Sequence, residues 1–137
     1  MAVVEELIRS EADGSISFGN HSLSAKSKVE DYNHNGDSYK VKTYDAMTKL
    51  EKNGLFVYES VPGTSVIKYN EKEDGVEFLV DGENDAQLTI GLSDDTEYEV
   101  FVDGNSAGCM KTNMGGKLVI SLELQGKFEQ AVKIVRK

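Results

Sequence analysis

The feature that most constrains this chain is a two-residue rhythm of apolar and polar side chains, broken at short intervals by Asx-Gly pairs. Tyr98, Val100 and Val102 alternate with Glu97 and Glu99. Leu118, Ile120, Leu122 and Leu124 alternate with Val119, Ser121 and Glu123. Val76, Phe78 and Val80, then Leu88, Ile90 and Leu92, then Val132 and Ile134 repeat the pattern. A period of two places alternate side chains on opposite faces of a strand, so each run buries one face and wets the other. Asp13-Gly14, Asn35-Gly36, Asn53-Gly54, Asp74-Gly75, Asp81-Gly82 and Asp103-Gly104 fall between or beside such runs. Asx-Gly supplies the positive φ angles that tight hairpin turns need.

Short strands at this spacing predict an all-β fold, a two-sheet antiparallel β-sandwich of Ig-like or jelly-roll type. The predicted strands fall near 3–9, 14–19, 27–33, 37–44, 55–60, 64–70, 75–81, 86–92, 96–103, 106–112, 117–124 and 129–136. One short helix is expected over 45–52, with Asp45 as its cap and Asn53-Gly54 as its stop. No Pro- or Ser-rich linker divides the 137 residues, which are read as one domain, 1–137.

Charge excludes several partners. The chain carries 24 acidic and 15 basic residues, a formal net charge of −9. Such a surface repels phosphate backbones, so neither nucleic acid nor an anionic membrane surface is an expected partner. No apolar run approaches the roughly 20 residues of a membrane helix, so no membrane insertion is expected. The start of the chain lacks the basic and apolar regions of a signal peptide. A cytoplasmic location is the expectation. A cell-surface or extracellular one would need a leaderless route or prior removal of a leader. Cys109 is the only cysteine, which rules out an intrachain disulfide, and it reads as a small buried apolar residue.

Among candidate sites, Asp31-Tyr32-Asn33-His34-Asn35-Gly36-Asp37 matches the first half of a calcium loop. Asp31, Asn33, Asn35 and Asp37 would supply oxygens, and Gly36 the sharp turn. The twelfth position, a bidentate Glu in such loops, is Lys42, and a strand-like segment follows where a helix should. The competing reading is a hairpin tip at Asn35-Gly36, and no cofactor other than a weakly indicated calcium ion is implied. Tyr32, Tyr39, Tyr58 and Tyr69 are candidates for stacking on sugar rings or lining an interface, although tyrosine is also an ordinary strand residue. His21 and His34 sit in polar, loop-like stretches and read as exposed. The acidic clusters Glu71/Glu73/Asp74, Asp81/Glu83/Asp85 and Asp94/Asp95/Glu97 read as solvated surface. None of the sequence signatures of nucleotide-binding loops, hydrolase elbows or zinc sites occurs.

The string from Leu88-Thr89-Ile90-Gly91-Leu92 through Thr96–Gly104 and Lys111-Thr112-Asn113 to Gly116–Leu122 resembles the accessory β-sandwich modules of bacterial polysaccharide-degrading enzymes. The whole chain, including Lys49–Gly54 and Glu59–Thr64, resembles short clostridial proteins that carry the name endosialidase. The first resemblance implies a glycan-binding module. The second implies an activity that the residues do not support. Sialidases grip a substrate carboxylate with clustered arginines, and this chain has only Arg9 and Arg136.

The function expected from sequence is therefore a non-catalytic structural or interaction protein that associates with itself. A carbohydrate-binding module, calcium-assisted or not, is the alternative. A glycan-acting enzyme stands behind both.

Overall fold

The computed structural model describes residues 2–127 and 129–137. Among these it contains thirteen strands and no helix. They are β1 (Ile8–Ser10), β2 (Ile16–Phe18), β3 (Ser27–His34), β4 (Asp37–Tyr44), β5 (Met47–Lys52), β6 (Leu55–Val61), β7 (Ser65–Lys72), β8 (Gly75–Asp81), β9 (Ala86–Gly91), β10 (Glu97–Val102), β11 (Asn105–Lys111), β12 (Lys117–Leu122) and β13 (Gln130–Arg136). Seven form one sheet in the order β1-β2-β7-β8-β13-β10-β11, and six form the other in the order β12-β9-β6-β5-β4-β3. Every pairing is antiparallel. The sheets face each other across one apolar core, so the predicted sandwich is the observed one.

The alternation read from sequence is what builds that core. In β12, Leu118, Ile120 and Leu122 are buried while Lys117, Val119 and Ser121 are exposed. Four aromatic rings occupy the centre. Tyr58, from the six-stranded sheet, stands edge-on to Phe18 and Phe78 of the seven-stranded sheet, with ring centroids 5.3 and 5.9 Å away. Tyr69 stacks on Phe78 at 5.4 Å. Edge-to-face and offset-stacked rings at these separations add to the energy of area burial.

The expected helix over 45–52 does not form. Asp45 and Ala46 make a turn, and Met47–Lys52 is strand β5, paired between β4 and β6. Its residues are compatible with a helix, but Thr48 and Leu50 are buried while Met47, Lys49 and Glu51 are only half-buried, a period of two. Asn53-Gly54, read as a helix stop, is the β5–β6 turn, with φ of 52° and 79°. The first predicted strand, 3–9, shrinks to Ile8–Ser10.

At one end of the sandwich, buried hydroxyls replace apolar packing. Thr48 donates from Oγ1 to the Thr64 carbonyl at 2.7 Å and accepts the Thr64 N–H at 3.1 Å. Thr43 bonds Thr48 at 2.8 Å and accepts the Asn20 N–H at 2.9 Å. The Thr64 hydroxyl meets Tyr58 Oη at 2.7 Å and Ser60 Oγ at 2.8 Å. Each buried polar atom here has a partner, which removes the cost of burying it. The network ties the crossing from β6 to β7 against the β4–β5 turn.

Candidate functional site

A sandwich of two open sheets has two lateral sides, each lined by one edge strand from each sheet. In this chain the two sides differ. On the first, β1 and β3 are stitched together. The Tyr32 hydroxyl bonds Ser10 Oγ at 2.9 Å, and Ser10 Oγ lies 2.7 Å from His34 Nδ1. His34 Nε2 donates to the Gly14 carbonyl at 2.9 Å, which leaves Nδ1 to accept the Ser10 proton. Edge strand β1 is only three residues long. Edge strand β3 carries Lys28, Glu30 and Asp31, with a register shift between Val29 and Tyr32 and a φ of 58° at Asp31. Short length, charge and bulging are the devices by which natural sheets blunt their edges.

The second side is made by β11 and β12. Strand β11 pairs only with β10 and is interrupted where Val100 faces Gly108 and Phe101 faces Ser106, which leaves Ala107 as the extra residue of a bulge. Strand β12 pairs only with β9, in unbroken register from Lys117 opposite Gly91 to Leu122 opposite Ala86. It has no proline, no bulge and no charge between Lys117 and Glu123, and Val119 is 49% exposed. Asn113 caps its first residue, accepting the Lys117 N–H on Oδ1 at 3.0 Å and donating its own N–H to the Lys117 carbonyl at 3.2 Å, so the less protected part of this half-apolar edge runs from Val119 onward.

The residues singled out from sequence are distributed differently. Asn35-Gly36 is the tip of the β3–β4 hairpin, with φ of 50° and 84°. Asp31 sits in the β3 bulge and Asn33 pairs with Ser38. Asp37 accepts from Asn53 Nδ2 at 2.9 Å and faces Lys52 Nζ at 3.7 Å. The Asn53 amide chiefly holds its carboxyl below the ordinary aspartate value. The segment is thus built as a hairpin. Among the described residues no group of three or more His, Cys, Asp or Glu side chains is arranged to hold a metal ion.

Tyr58 and Tyr69 are core residues, not surface ones. Tyr39 is also buried, and burial, with Glu71 and Asp37 adding to it, pushes its hydroxyl up to about 12. Tyr32 is half-buried and spent on the Ser10 bond. An apolar groove lies elsewhere, on the outer face of the seven-stranded sheet. It encloses about 510 Å³ and is floored by Leu79 and Phe101, with Asp13, Lys68, Glu77 and Lys133 around it. A sequence signal for it existed: Leu79 and Phe101 are apolar at the solvent-facing positions of otherwise alternating strands.

Three further expectations are corrected. Cys109 is exposed, because it lies on the outward face of edge strand β11 opposite Glu99. Asp81 is buried and accepts the Ala2 N–H at 2.6 Å, so its cluster is not wholly solvated. His21 is 3% exposed, with Nδ1 2.7 Å from Ser65 Oγ. Only the fold brings Ser65 and Asp81 to it. Burial holds the His21 imidazole below its ordinary value, against the opposing pull of Asp81 and Glu83.

That environment makes a prediction. A histidine whose folded pKa is depressed binds its proton more readily when unfolded, so its contribution is complete above the unfolded value and is lost as pH falls from about 6.5 downward. The carboxylates that are held low, such as Glu11 and Asp37, begin to lose theirs only below about 4–4.5. Urea unfolding should therefore show stability falling between pH 7 and pH 5, by no more than about 1.4 kcal/mol per pH unit for one proton. His21→Gln should flatten that slope. An unchanged slope in the variant would remove His21 as its cause.

Taken together, fold and site define an antiparallel β-sandwich with one stitched side and one open side. Comparison with protein-family models, with curated proteins and with solved structures finds no match to this chain.

Proposed function

We propose that this chain is a non-catalytic structural or interaction protein that associates with copies of itself through the open lateral side of its sandwich. The observation that carries the reading is the contrast between the two sides. One is closed by the Tyr32–Ser10–His34 bonds, whereas β12 leaves an unbulged backbone edge. Beyond Lys117, whose N–H and C=O are taken by Asn113, such an edge presents N–H and C=O groups that a second strand satisfies. The titratable groups fit a structural role. His34 bridges two edge strands, and His21 is packed inside.

The test is sedimentation velocity of the full chain from low micromolar to sub-millimolar concentration. A concentration-dependent dimer is expected. A strict monomer throughout overturns the reading. If that monomer melted higher in the presence of a mixed oligosaccharide pool, and Phe101→Ala abolished the shift, the groove floored by Leu79 and Phe101 would instead support the glycan-binding alternative.

A further inference from the structure

Two buried tyrosines have hydroxyls that the protein does not use. The Tyr32 and Tyr58 hydroxyls bond Ser10 and Thr64, and the Tyr98 hydroxyl accepts the Ser93 N–H at 3.2 Å. Tyr39 and Tyr69 are only 6% and 3% exposed, yet neither hydroxyl has a hydrogen-bond partner among the described residues. Nor is either sealed inside the core. The one enclosed side-chain atom without a partner, among the described residues, is Gln130 Oε1. The two tyrosine hydroxyls therefore open onto a space. Buried polar groups without partners are costly, and each calls for an explanation.

That space is a pocket between the two sheets, next to the side stitched by Ser10, Tyr32 and His34. Both tyrosines line it, Tyr39 from β4 of one sheet and Tyr69 from β7 of the other. It encloses about 150 Å³. A water molecule occupies about 30 Å³ in the liquid, so the pocket has room for about five, more than two hydroxyls require. Ile16 of β2 supplies an apolar wall. The charged side chains of the lining are Asp37, Lys52 and Glu71. Lys52 Nζ lies 3.7 Å from Asp37 and 3.5 Å from Glu71, and the second pair bridges the sheets from β5 to β7.

These walls select a class of occupant. Two carboxylates face one lysine, which disfavours an anion. Lys52 already stands between them, where a cation would sit. An apolar molecule would leave both tyrosine hydroxyls unpaired. A neutral molecule rich in hydroxyls meets each demand, because every O–H can both donate and accept. It would accept from Tyr39, Tyr69 and Lys52, donate to Glu71 or Asp37, and lay its C–H groups against Ile16 and the rings. We propose that this pocket binds a small neutral polyol, between glycerol and a single sugar ring in size, through the Tyr39 and Tyr69 hydroxyls. The site is separate from the β11–β12 side and from the groove floored by Leu79 and Phe101, so it does not depend on self-association.

The experiment is an amide-resolved NMR titration of the full chain with glycerol, inositol and a methyl glucoside. Acetate and methylammonium serve as charged probes. At least one polyol should shift the amides of Tyr39, Tyr69, Lys52 and Glu71 together and saturably, and neither charged probe should. Tyr39→Phe and Tyr69→Phe should each weaken that binding roughly fivefold, the loss of one neutral hydrogen bond. Both variants should keep or raise the melting temperature of the unliganded protein, since no bond within the protein is lost. Phe101→Ala should leave the binding unchanged. Silence from all three polyols would make water the occupant and overturn the proposal. Binding of a charged probe in their place would overturn the choice of ligand class. Undiminished affinity in both phenylalanine variants would remove the hydroxyls as the recognition groups.

Discussion

Gly63→Ala is expected to lower stability by at least about 3 kcal/mol, seen as a large drop in the urea midpoint. Gly63 lies on the crossing from β6 to β7, and its N–H donates to the Asp45 carbonyl at 2.9 Å. A Cβ at this position would stand 1.9 Å from the Tyr44 carbonyl oxygen. The obstacle is backbone, so no side chain can rotate away to relieve it. Either the β4–β5 turn or the crossing must move, and both are anchored by the Thr48–Thr64 bonds. Gly36→Ala is the control. Its φ of +84° strains an alanine, but nothing lies within 4 Å of the added atom, so the loss should stay near about 1–2 kcal/mol. Equal losses in the two variants would show that crowding at Gly63 is not what limits that position.

Tyr58→Ala should cost a similar amount, about 3–5 kcal/mol. The side chain is completely buried and stands between the two sheets among Phe18, Tyr69 and Phe78. Truncation leaves a hole lined by rings from the opposite sheet, and these cannot collapse into it without dragging their strands. Tyr58→Phe separates packing from hydrogen bonding. It keeps the ring and removes one bond to Thr64, whose hydroxyl retains Ser60. A loss of about 1 kcal/mol is expected. If Tyr58→Phe cost as much as Tyr58→Ala, the hydroxyl network rather than the ring cluster would be what binds the sheets there.

These two sites also mark where sequence reading succeeds and stops. Leu118–Leu124 and Val76–Val80 declare their strands and faces directly, because a half-buried strand needs only local alternation. Residues 47–52 were harder to read. Met47, Lys49, Leu50, Glu51 and Lys52 suit a helix, and the decisive facts are tertiary: Thr48 finds Thr64, and Leu50 finds the core. His21 and Asp81 stand in polar stretches, and nothing local says that the fold will cover them. Tyr58 and Tyr69 could not be told from surface tyrosines until their neighbours were known. The motif at Asp31–Asp37 shows the converse hazard. Residues suited to a calcium loop are equally suited to an Asn-Gly hairpin, and the strand that follows is built as the hairpin requires. The open edge was the least legible feature of all. Its sequence, Lys117–Leu122, is plain, but being an edge is a property of strand order, which brings β9 to one flank of β12 and, among the described residues, no strand to the other.

The stitching at Ser10, Tyr32 and His34 has a consequence for the size an assembly can reach. In the self-association proposed, a two-fold union through the open side would occupy the same surface on both molecules. The far side of each would then carry β3, which is bulged, charged and tied down, and so would offer no template for a third molecule. Growth would stop at a pair, and a histidine and two hydroxyls on the side facing away from the partner would keep a strand-rich protein from the runaway stacking that leads to fibrils.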